Sequence, residues 1–116
     1  MAAKTDPAKL ARQARDLIEE YNRVLLDDAN ALSAPGLSEA TEALKSLVDR
    51  LPQAFELTAD VLEMLAAKGR ITIEQGVPQA EAATTAAELR AVAAGTEKLA
   101  KDLSHPASAL FHMGGR

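Results

Sequence analysis

The stretch PQAEAATTAAELRAVAAGTEKLAKDL, Pro78 to Leu103, decides the fold. Its larger residues step alternately by three and four along one helical seam: Ala82, Thr85, Leu89, Val92, Thr96, Leu99 and Leu103. An apolar repeat of about 3.5 residues requires a second helix to cover it. Alanine follows every second seam position, at Ala86, Ala93 and Ala100, and side chains this small let a neighbouring backbone come close. The spacing predicts an antiparallel helix contact lubricated by alanine, with Gly95 either adding to the closeness or costing about 1 kcal/mol in helix propensity.

Upstream, Leu37, Ala40, Leu44, Leu47, Leu51, Phe55, Thr58, Leu62 and Leu65 also step by three or four, and the phase crosses Pro52 unbroken. No glycine, asparagine or serine beside Pro52 makes a turn, so the pattern predicts one helix, about residues 39–68, bent where proline removes the bond to the Val48 carbonyl. Two shorter helices meeting at a corner, giving a four-helix bundle, are the alternative. Before it, Ser33-Ala34-Pro35-Gly36 marks a break, with Ser38 as a candidate cap.

The first helix starts at Asp6-Pro7, where a carboxylate accepts from free first-turn N–H groups and proline forgoes a donor the helix does not need. Leu10, Ala14, Leu17, Ile18, Tyr21, Val24, Leu25 and Leu32 trace its apolar stripe, which puts the end near Leu32. Arg12 and Asp16, Arg15 and Glu19, Glu19 and Arg23, and Arg23 and Asp27 stand four apart on the outer face as a solvated ladder.

Gly69 suits a helix C-terminus, and Arg70 to Glu74 alternates like a strand. With no second strand to pair with, Ile71 and Ile73 read as pins on the bundle end, or else as an edge that pairs with another copy. Ser104-His105-Pro106 should stop the last helix, leaving residues 105–116 as a tail. The expectation is an all-α single domain over 1–116: an up-down-up bundle of three long helices, the middle one kinked at Pro52.

A chain of 116 residues with 47% hydrophobic content suits one core. Only Tyr21, Phe55 and Phe111 are aromatic, so that core should be thin and helical. The absence of cysteine removes disulfides and thiolate chemistry, and with no apolar leader or membrane-length run the expected location is the cytoplasm.

No phosphate loop, nucleophile elbow or His-Glu-x-x-His motif is present, so the expectation is a non-enzymatic protein with no cofactor and no catalytic or metal-binding residues. Three function classes are open. The first is protein–protein contact, as a homo-oligomeric scaffold or a small regulator. The second is nucleic-acid binding by Lys4, Lys9, Arg12 and Arg15, joined by Lys68 and Arg70, which a net charge of −4 disfavours. The third is a Mg²⁺-dependent hydrolase using Glu56, Asp60 and Glu63 with Glu39 and Glu42, but these acids lie off the apolar seam, where water prevents a dry site.

Candidate interaction residues are Asp28, Thr41, His105, Leu110, Phe111 and Met113. Leu110, Phe111 and Met113 are too apolar to leave wet, and are expected to be buried on their own bundle or on another copy. Projected at 100° per residue, Asp28 falls in the middle of the first helix's stripe, where a carboxylate needs a partner such as Ser38, Thr41, Lys98, Lys101 or His105. His105 and His112 read as an exposed pair in the tail.

Overall fold

The computed structural model describes residues 6–114. The chain is all-α, with no strand among the described residues and three long helices, the second of them joined from two parts with a bend of 18°. In order these are α1 (Pro7–Asp27), α2 (Ala34–Val48) and α3 (Leu51–Ala67), which together make the bent helix, and α4 (Pro78–Phe111). The chain divides into two compact units, one running to Ser33 and the other starting at Ala34.

In the first unit, Asp6 caps α1 as its chemistry dictates, accepting the Ala8 N–H at 3.0 Å with Pro7 in the first turn. The helix stops at Asp27, short of Leu32, and a single 3-10 turn, Ala29–Ala31, follows. None of its residues is buried, and Leu10, Leu17 and Val24 of the apolar stripe are exposed. The expected ladder is altered too, since Arg15 pairs with its neighbour Asp16 at 2.9 Å.

The second unit is a helical hairpin in which α2 and α3 pack against α4. Its buried residues fall on a seven-residue grid: Ser38, Ala59 and Ala66 on one arm, with half-buried Lys45 and Pro52 at the positions between, and Ala86, Ala93, Ala100 and Ala107 on the other, with Ala82 beside them. Every one is small, and no large side chain among the described residues is fully buried. Each methyl adds only about 0.8 kcal/mol, so the contact draws on the backbones and side-chain stems that alanine lets approach. This refines the expected seam: alanine forms the closest contact, whereas Thr85, Val92 and Leu99 stand on an exposed flank.

The middle helix bends as its proline requires. Asp49 and Arg50 form a turn, the Arg50 N–H donates to the Leu47 carbonyl at 3.1 Å, and the helix resumes at Leu51. That shift frees the Ser46 carbonyl, which the Arg50 guanidinium takes at 2.6 Å. Ser38 proves not to be the cap: α2 starts at Ala34, with Pro35 in its first turn, and Ser38 is buried one turn inside.

At the hairpin tip, Gly69 (φ 66°) ends α3 with paired reverse bonds, its N–H reaching the Ala66 carbonyl at 3.0 Å and the Arg70 N–H reaching Leu65 at 2.9 Å. The connector holds no strand; Ile71 and Ile73 are half-buried, and Gly76 (φ 96°) turns the chain beside Ile73.

The largest departure is at Pro106, which does not stop α4. The helix runs through it to Phe111. Proline inside a helix costs roughly 3 kcal/mol, but the next residue, Ala107, is 2% exposed on the seam and Leu110 is half-buried. Packing Ala107 and Leu110 returns part of that cost, and residues 105–111 belong to the hairpin rather than to a tail.

Candidate functional site

Two flanks border the alanine seam, and the ion pairs identify one of them. Arg90 follows Ala86 by four positions and Glu63 follows Ala59 by four. The Arg90 guanidinium donates to Glu63 and, at 2.9 Å, to Asp60. The four-after positions of both arms therefore share one side, as antiparallel packing demands. It is the polar side: Glu42, Asp49, Glu56 and Glu63 form a column on one arm, facing Arg90, Glu97 and Ser104 on the other.

The three-after positions must then share the opposite side. On the bent helix these are Thr41, Val48, Phe55 and Leu62, with Leu37, Leu44, Leu51 and Leu65 in the next column. On α4 they are Leu89, Thr96, Leu103 and Leu110, with Thr85, Val92 and Leu99 outside them. None of these positions is charged. Most are half-buried, while Val92 and Leu99 are 47% and 49% exposed. The result is one continuous apolar face, formed by both arms and uncovered within the hairpin.

Of the six sequence candidates, the hairpin brings Thr41 and Leu110 together on this face, both half-buried and at the end far from the connector. Phe111 falls on the polar side, 73% exposed, and Met113 lies past the helix end at 52%. These two are not buried on their own bundle, because the helix that carries Leu110 inward turns Phe111 away from it. His105 is exposed on the outward side of α4, and so is His112, whose ring meets Phe111 edge-on at 5.5 Å. Continuing the helix places the two histidines on one face, but seven residues rise about 10 Å, too far for one ion.

Asp28 is exposed too. It caps the C-terminus of α1, its N–H donating to the Val24 carbonyl at 2.9 Å. The helical projection that put it among the stripe residues fails because the helix ends one residue earlier. Asp28 has no buried carboxylate to neutralise.

The acids weighed for Mg²⁺ meet an arginine. Arg90 holds both Asp60 and Glu63, and the described residues contain no cluster of three potential metal-binding side chains. Its hydrogen bond keeps the Glu63 carboxyl below the usual carboxylate range, while those from Glu63 and Asp60 raise Arg90. A lowered folded-state value stabilises above the unfolded carboxylate range and is lost as pH falls through the Glu63 value. In Arg90→Ala, Glu63 should titrate upward, toward the ordinary range, when followed by carboxyl NMR; an unchanged titration contradicts the pairing. The melting temperature should move little, because both side chains face water.

Beside the polar column, Glu42, Lys45, Ser104, Ala107, Ser108 and Phe111 line an open depression of about 340 Å³. Lys45 is engaged there by Asp49 at 3.1 Å. Of the proposed basic end, Lys4 lies outside the described residues, as do Gly115 and Arg116 of the expected tail. No described helix is long and apolar enough to cross a membrane. No family model, no curated protein and no solved structure matches this chain.

Proposed function

We propose that this chain is a non-enzymatic cytoplasmic protein that works by protein–protein contact, presenting the apolar face of its hairpin as the docking surface. The observation that carries this reading is the uncharged face on both arms, with Val92 and Leu99 about half exposed. Exposed apolar patches larger than a few hundred Å² mark interaction surfaces more often than free surface. The polar side supports the same assignment by contrast, since its carboxylates stay in water and two of them, Asp49 and Glu63, pair with Lys45 and Arg90.

Binding of an apolar fluorescent dye to the intact chain tests this. At low protein concentration the dye should brighten with the wild type and much less with Leu99→Glu. A wild type that neither brightens the dye nor associates with anything contradicts an open docking face.

A further inference from the structure

We infer that the occupant of the apolar face is a second copy of the same hairpin, forming a two-fold four-helix core; this rests on the docking-face reading above. Three observations lead to it. The first is area. The face runs from Leu37 to Leu65 on the bent helix and from Thr85 to Leu110 on α4, or about 40 Å at 1.5 Å per residue. Two helices spaced 8–10 Å apart, each about 10 Å across, therefore give a face of roughly 750 Å² per copy. A standard stable interface takes about 800 Å² from each side.

The second is extent. A single amphipathic helix the length of α1, 21 residues, spans about 32 Å and is one helix wide, so it falls short of a face about 40 Å long and two helices wide. Another hairpin has matching length and width. The third is charge. A two-fold contact brings each residue near its own kind, so any charge on the surface is doubled. This chain is 26% charged, and the face carries none. The acid column of Glu42, Asp49 and Glu56 is confined to the other flank, where two stacked copies keep it in solvent.

Leucines on two arms and Phe55 supply the contact, and the alanine seam inside each hairpin is untouched. Association then depends on apolar burial and hardly on salt, because no ion pair crosses the face.

Sedimentation equilibrium of the full chain, across concentration and at low and high salt, tests the inference. The expected species has twice the 12.2 kDa chain mass at both salt levels. Leu99→Glu should raise the dissociation constant by about 100-fold or more, since symmetry introduces the charge twice. Ser108→Glu, on the polar side of the same helix, should leave it unchanged. Circular dichroism checks that both variants keep their helix content; if Leu99→Glu unfolds, Val92→Lys replaces it at an equally exposed position.

A wild-type monomer overturns the second-copy assignment. If that monomer still brightens the apolar dye, the docking face survives and its occupant is a different protein. If it does not, the face is covered within the chain and both readings fail. A dimer unaffected by either face variant also overturns the inference, because the copies then meet elsewhere.

Discussion

Replacing Ala93 by leucine should lower the melting temperature by about 10 °C or more. Ala93 is 1% exposed and lies in the middle of the α4 seam, where the opposing helix leaves no room for three further carbon atoms. Overpacking of this kind typically costs 1–3 kcal/mol, and about 1 kcal/mol shifts the midpoint of a domain this size by roughly 4–8 °C. The cost falls at the upper end because Ala93 is almost wholly enclosed between closely packed helices. Ala94→Leu is the matched control: its position is exposed, and leucine is nearly as good a helix former as alanine. A thermal melt followed by circular dichroism should separate the two, and identical curves would show that the alanine column is not the contact.

The second large effect has the opposite sign. Pro106→Ala should stabilise the hairpin by about 1–3 kcal/mol, because an N–H at position 106 can donate to the Asp102 carbonyl and the proline ring no longer crowds that turn. Pro78→Ala should do almost nothing, since Pro78 occupies the first turn of α4, where its missing donor has no partner to lose. Chemical denaturation of the two variants provides the comparison. A Pro106→Ala protein no more stable than Pro78→Ala would mean that the helix is interrupted before Ala107.

These two sites also show how far the sequence could be read. The three-four stepping and the alanines within it were sufficient to predict the helix count, the antiparallel contact and the bend at Pro52. They were ambiguous about which column faces inward, because neighbouring columns are all apolar; Val92 and Leu99 looked like seam residues until the smaller side chains proved to be the closer contact. Pro106 departs from its local signal for a different reason. The local rule weighs the lost hydrogen bond, but not the packing of Ala107 and Leu110 beyond it.

Asp28 shows the limit of projection. A helical wheel assigns a face only while the helix lasts, and α1 ends at Asp27. The apolar flank is legible only in part: the sequence marks Leu110 as too apolar to leave wet and Thr41 only as a partner for Asp28, and the division into a charged flank and an uncharged one needs the Arg90 pairing to fix which sides coincide. Phe111 and Met113 stand out by hydrophobicity alone, and neither lies on that flank.

The alanine seam also bears on uniqueness. On α4 alanine recurs every seven positions, but the bent helix carries Lys45 and Pro52 at the corresponding places between Ser38 and Ala59, so sliding one arm past the other by seven sets only part of the seam small against small. Arg90 discriminates only weakly, since the same slip moves it from Asp60 and Glu63 toward Gln53 and Glu56, where one carboxylate is still within its column. The tip adds a second constraint, since Gly69 closes α3 in a left-handed conformation and Gly76 turns the chain into α4. In this molecule the small residues supply the cohesion, while the exceptions among them, Lys45 and Pro52, carry information about alignment.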